Sequence, residues 1–154
     1  MTRLSENFSL AEFTSSDTAD ARGIENTPDD SQIENLRYLV TAVLQPLRTF
    51  LGVPVRISSG FRNRELNKAV GGVEDSHHLA ENQFAAADIS AGGMPASDVM
   101  AAIGELGLPV EQVINEFDKW VHVSSRRPKK EFLRAFKSDG RTAYEAAGNT
   151  TPVV

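Results

Sequence analysis

The chain carries its three histidines in two places: His77 and His78 side by side, and His122 in the run Trp120-Val121-His122-Val123-Ser124. Cysteine is absent, so a metal site must draw on His, Asp or Glu, a donor set that suits zinc. Asp88 lies between Ala86, Ala87 and Ile89. A carboxylate in so apolar a strand is costly to bury unless it is paired, hydrogen-bonded or coordinated. Period two puts Trp120, His122 and Ser124 on one face of their strand and Val121 and Val123 on the other. His78, Asp88 and His122 therefore read as three ligands of one tetrahedral zinc with its fourth position open, the pattern of a catalytic rather than a structural site. Hydrolysis at such a centre needs a base. Glu116 and Asp118 both precede His122 closely. A turn at Asp118-Lys119 sets Glu116 opposite His122 or nearly so, which favours Glu116, with an exposed hairpin carboxylate as the alternative.

The elements that must position these residues follow from periodicity and caps. Ser9 and Glu12 have capping-box spacing, so a short helix starts there. Residues 14 to 27 are polar and turn-rich and read as a surface connection. Thr27-Pro28-Asp29-Asp30 is a helix start, with a threonine cap, proline in the first turn and acids at the positive dipole end. Ile33, Leu36, Val40, Val43, Leu44, Leu47 and Leu51 form one apolar stripe of a long helix. Gly52 closes it, and Pro46 inside the pattern predicts a kink. Val55–Ser59 reads as a strand, residues 62 to 69 as a helix stopping at Gly71-Gly72, and residues 86 to 90 as a strand. A helix over residues 97 to 106 precedes strands at 112 to 117 and 120 to 124. A last hairpin, 132 to 137 with 141 to 144, turns at Asp139-Gly140, and the tail from Gly148 is expected to fray. Helices and an antiparallel sheet are thus segregated along the chain, which gives a single α+β domain whose sheet carries the site against a long N-terminal helix and shorter ones.

Bulk properties narrow the function. The 154 residues suffice for one core, and a formal net charge of -5 opposes nucleic acid as the main partner. Arg126, Arg127, Lys129 and Lys130 are the local exception and read as a solvated hairpin loop, or else as a contact for anionic wall polymers or lipid headgroups. No apolar run is long enough to span a membrane. Met1 to Glu6 leads into no apolar stretch, so no secretory signal peptide is expected. A monomer is the default.

Five pieces in one order then carry a resemblance: Ser59-Gly60-Phe61-Arg62, Asn67 with Val70-Gly71-Gly72, Ser76-His77-His78, Ala86-Ala87-Asp88-Ile89 and Trp120-Val121-His122-Val123-Ser124. Together they resemble the zinc D-alanyl-D-alanine carboxypeptidase family of murein peptidases. That family includes L-alanyl-D-glutamate endopeptidases used as phage lysins, and its fold is shared with the hedgehog domain. Asn7 to Phe13 and Asn26-Thr27-Pro28 are similar to the small phage and prophage branch. The resemblance implies one zinc ion on His78, Asp88 and His122. It implies Glu116, six residues before His122, as general base and later as the acid toward the leaving amine. Some members place this glutamate nearer the histidine, at the position that is Lys119 here. Arg62 is implied to hold substrate oxygens and stabilise developing negative charge, a task that suits a planar fork of donors. Ser76 is expected to orient His78 or bond substrate, Trp120 to contact substrate, and His77 to face solvent without a role. Asn67 and Gly71-Gly72 are expected to be architectural.

One departure lies between the first two ligands. Glu81 stands where the family has glycine, and Ala80 to Phe84 reads as a short insertion beside the metal that bears on the shape of the adjacent cleft. Such lengthening is cheap in chain entropy, so both ligands can still meet. The implied substrate is a peptidoglycan stem peptide, reached from the cytoplasm by holin-assisted or other non-classical release. The rival is a zinc or cell-wall binding module on the same fold without turnover.

Overall fold

In a computed structural model of the chain, residues 2–128 are described in full, together with the backbone of three further strands, Leu133–Ser138, Arg141–Ala146 and Asn149–Val153. The architecture is α+β. Helices α1 (Leu10–Thr14), α2 (Asp17–Arg22), α3 (Asp30–Leu39) and α4 (Gln45–Leu51) precede strand β1 (Val55–Ser59). Helix α5 (Arg64–Ala69), strand β2 (Phe84–Ala91), helix α6 (Ala96–Leu106), strand β3 (Gln112–Glu116) and strand β4 (Trp120–Arg126) follow. The first sheet has the order β1-β2-β4-β3, and every neighbouring pair is antiparallel.

The sheet's two faces differ as its alternation dictates. Ala85, Ala87, Ile89, Val121 and Val123 are fully buried. They form one core cluster with Leu36, Leu39, Val40, Val43, Leu44 and Leu47. Burying each of these leucines contributes roughly 1.5–3 kcal/mol. The small alanines of β2 let the helical layer approach closely. The opposite face carries Asp88 and His122.

The single long helix expected between Thr27 and Gly52 is instead three consecutive segments: α3, a π-helical turn at Val40–Leu44, and α4. Pro46 explains the interruption. It has no N–H, and its ring clashes with the carbonyl four residues back in a regular helix. The wide turn, in which the Gln45 N–H reaches the Val40 carbonyl, accommodates it. The cap of α3 is Asp29 rather than Thr27. Its carboxylate accepts the Gln32 N–H at 2.8 Å, while the Gln32 side chain accepts the Asp29 N–H at 2.8 Å. The stretch read as a surface connection contains α2, capped by Ser16 and closed by left-handed Gly23. Only Ala19 of α2 is buried, so there was no apolar stripe to announce it. At α1, the Glu12 carboxylate accepts the Ser9 N–H at 2.7 Å.

In a second sheet, β5 (Leu133–Ser138) pairs with β6 (Arg141–Ala146), with Ser138 opposite Arg141. The expected turn residues Asp139 and Gly140 lie outside the described residues, as do Lys129 and Lys130. Where the tail was expected to fray, β7 (Asn149–Val153) runs antiparallel to β6. Among the described residues, no helix is long and apolar enough to cross a membrane.

Candidate metal centre

Asp88 and His122 are directly opposite each other in the β2–β4 ladder, so their side chains share the face away from the helical core. His78 arrives from the chain between α5 and β2, in a 3-10 turn at His77–Leu79. Two contacts aim it. The Ser76 hydroxyl accepts the His78 N–H at 3.2 Å, and the His78 Nδ1 lies 2.7 Å from the Gly60 carbonyl. A carbonyl only accepts, so Nδ1 carries the proton and Nε2 is left as the electron-pair donor. Gly60 is required at that spot. A Cβ there would lie 2.7 Å from Phe13 Cα and 2.9 Å from Phe13 O, and the Phe61 N–H already donates to that oxygen at 2.7 Å. The Ser-Gly-Phe-Arg segment thus joins α1 to the first histidine.

The three side chains converge. His78 Nε2 is 3.5 Å and His122 Nδ1 3.0 Å from Asp88 Oδ1, and one ligand atom from each residue lies within 4.8 Å of the others. A tetrahedral zinc with bonds of about 2.0–2.1 Å needs ligand–ligand edges of about 3.3 Å. The two separations from Asp88 bracket that edge, and the N,N,O donor set matches the ion. Burial alone pushes the Asp88 carboxyl upward, but hydrogen bonds from His122 and His78, with their charges, hold it well below the ordinary carboxylate range. The carboxylate is therefore ionised and ready to ligate.

The longer gap between His78 and Asp88 does not separate them. Ala80, Asn82 and Gln83 all adopt left-handed backbone conformations, at φ 53°, 53° and 72°, and fold the extra length into a compact loop. Ala80 O accepts from Asn35 Nδ2 at 2.8 Å, and Glu81 pairs with Arg64 at 2.8 Å. Bulky or Cβ-bearing residues visit this region sparingly, so the loop is held by these contacts. It delivers Phe84 to the start of β2. There His77, expected to face solvent, stacks on the Phe84 ring, with centroids 4.1 Å apart and planes at 4°. The His77 Nδ1 is 3.0 Å from Ser124 Oγ, and burial together with His122 lowers its pKa. Arg126 lies over the same Phe84 ring, 5.6 Å from its centroid. It belongs to β4 rather than to a loop, and the Arg127 N–H donates to Gln83 O at 2.7 Å. Period two could have found this wall: Phe84 shares the parity of Asp88, and Ser124 that of His122.

Glu116 and Trp120 occupy the same face as His122, two ladder positions nearer the hairpin tip. Their register differs from the expectation: Glu116 pairs with Trp120, and Ile114 is opposite His122. The loop is three residues, Phe117-Asp118-Lys119, because Phe117 and Asp118 are both left-handed. The loop is clamped by Asn115 Nδ2 to Asp118 Oδ1 at 2.8 Å and by the Asp118 N–H to Asn115 Oδ1 at 2.9 Å. Asp118 is thereby committed to the turn. Glu116 is a diagonal neighbour of His122, and such pairs are about 7–8 Å apart, within reach of a long side chain. Trp120 is half-buried and meets Phe117 edge-on at 6.4 Å.

Arg62 precedes α5, with its N–H donated to His78 O at 2.9 Å. Burial lowers the pKa of its guanidinium, while the charge of Asp88 raises it, which places the cation within electrostatic reach of the cluster.

A family model described as Peptidase M15 matches residues 6–124, the span from just before α1 to Ser124 in β4. No curated protein and no solved structure matches the chain.

Proposed function

Because the chain belongs to the peptidase M15 family, we propose that it is a zinc-dependent peptidase that hydrolyses peptidoglycan stem peptides. The observation that carries this reading is the convergence of His78, Asp88 and His122, with one ligand atom of each within 4.8 Å of the others and both histidines within 3.5 Å of Asp88 Oδ1. A zinc ion on these atoms supplies Lewis acidity toward water and the scissile carbonyl. The chain's own groups do the rest. Glu116, one pair along the same face, takes the proton of the attacking water and returns it to the leaving amine. Arg62 donates to the developing oxyanion or to a substrate carboxylate. Trp120 offers an apolar flank to the peptide. His78, fixed through Nδ1 by Gly60, keeps one tautomer throughout. Action at the cell wall, by holin-assisted or another non-classical release, belongs to the same proposal, with a phage or prophage lysin as its biological setting.

The test is zinc content together with digestion of purified murein, for the wild type and Glu116→Ala. About one zinc per chain and released stem-peptide fragments are expected. In Glu116→Ala the rate should fall by about 10²–10⁴ with zinc retained. Fragment masses then distinguish D-Ala-D-Ala from L-Ala-D-Glu cleavage. Stoichiometric zinc with no cleavage of any stem peptide would replace this reading with a binding module on the same fold. Failure to bind zinc after reconstitution would overturn the ligand set itself.

A further inference from the structure

Arg62 has a neighbourhood that its proposed role does not by itself require. Its Nη1 donates to Asn67 Oδ1 at 3.1 Å. Asn67 is 4% exposed although it belongs to the short helix α5. Its amide cannot turn, because Nδ2 donates to Val73 O at 2.8 Å, which fixes Oδ1 on the side of the arginine. The chain then doubles back: the Gly72 N–H donates to Asn67 O at 2.8 Å. At Gly72 a Cβ would overlap Asn67 Oδ1 and lie 2.9 Å from Arg62 Nη1. Gly72 is not among the glycines with positive φ, unlike its neighbour Gly71 at 74°. What position 72 needs is therefore the missing side chain rather than a left-handed backbone.

These contacts form one device. A guanidinium has five N–H donors in a plane, and binding one edge to a fixed acceptor sets the direction of the remainder. We infer that Asn67 and Gly72 are positioning residues for Arg62: Asn67 fixes the guanidinium plane, and Gly72 keeps clear the space in which the two side chains meet. The inference rests on the peptidase reading only for its effect on rate. The ordering of Arg62 is a property of the chain alone.

Two readouts on the zinc-loaded full chain test it. The first is the Arg62 guanidinium Nε–H signal in NMR, assigned by its loss in Arg62→Lys. It is expected to be sharp in the wild type and to broaden and exchange faster in Asn67→Ala and in Gly72→Ala. The second is a double-mutant cycle on stem-peptide hydrolysis. Each single variant is expected to lower kcat by about 10- to 100-fold, with a smaller change in KM, as misplacement by about an ångström does. The double variant should lose less than the two single losses combined, because truncating Asn67 removes the closest atoms that the added methyl would strike. Additive losses would mean that Gly72 acts through the backbone, and would overturn its part. An unchanged Arg62 signal in Asn67→Ala would overturn the inference whatever the activity, and it decides the matter even if Gly72→Ala fails to fold. A wild type that shows the ordered signal and its loss, yet cleaves no stem peptide, would instead remove the peptidase reading and leave the clamp standing.

Discussion

His122 and Glu116 lie on the same face of one hairpin, six residues apart across a three-residue loop, yet the fold holds them in different ways. His122 has paired strands on both sides, with Asp88 opposite it on β2 and Ile114 on β3. The flanking Val121 and Val123 are fully buried, and its Nδ1 is bonded to Asp88 at 3.0 Å. To move it, the core must move. Glu116 is the last residue of an edge strand. Its loop neighbour Phe117 is 80% exposed and left-handed at φ 56°, a conformation that is a real outlier for a bulky residue. What holds this end is local to the turn: two hydrogen bonds between Asn115 and Asp118, the Lys119 N–H donated to Glu116 O at 2.9 Å, and the edge contact of Phe117 with Trp120. The candidate metal cluster is thus tied to the core, whereas the placement of the proposed base depends on a local turn. Each should be breakable without the other.

The largest effect belongs to the cluster. Asp88→Ala removes the ligand that bonds both histidines, so zinc binding should fall below detection and hydrolysis should drop to background. Equilibrium dialysis with zinc and the murein digest check this together. Retention of stoichiometric zinc would show that the ion is held elsewhere and erase the distinction between the two regions. Glu116→Gln is the converse and the next largest. Activity should fall by about 10²–10⁴, with zinc affinity unchanged.

The same contrast accounts for what could be read from the sequence. The grouping of His78, Asp88 and His122 was legible because a charge between alanines and an isoleucine, and a histidine between valines, conflict with burial unless something partners them. The α+β class followed from periodicity that packing then used, as with Leu36 to Leu47. The hairpin register was not legible. Whether a loop has two or three residues depends on Asn115 and Asp118 bonding each other's side chain and backbone, and no apolar pattern reports that. His77 was misread for a related reason: its partner Phe84 is brought to it by three left-handed residues, none of them glycine. The interruption of the long helix had a visible cause in Pro46, but a kink and a π turn are alternative answers to one clash, and only packing selects between them.

Asp118→Ala sharpens the comparison at a smaller amplitude. It removes the Asn115 Nδ2 bond and the reason for Asp118 to stay left-handed, while touching nothing in the cluster. Hydrolysis should fall by about tenfold, since the base is displaced rather than removed. Zinc content should stay at the wild-type value. The hairpin amides from residue 115 to 119 should exchange faster with solvent, whereas those of β2 should not. Uniformly faster exchange across β2 and β4 would mean that the tip and the cluster form one cooperative unit.

The smallest effect concerns the cluster without its metal. Asp88 has a folded-state pKa depressed below its unfolded value of about 3.9. A depressed carboxylate contributes stability that is fully present above the unfolded pKa and is lost as pH falls through the folded one. In the metal-free protein, the stability gap between wild type and Asp88→Asn should therefore be level from neutral pH down to about pH 5 and shrink below about pH 4. Chelator-treated samples in urea titrations across that range measure it. The direction follows because Asn cannot ionise, so its variant lacks the carboxylate's contribution at every pH. A gap that widened on acidification would mean that the histidines, not the carboxylate, dominate the apo cluster. The rigidity credited to His122 would then come from its buried flanking valines alone.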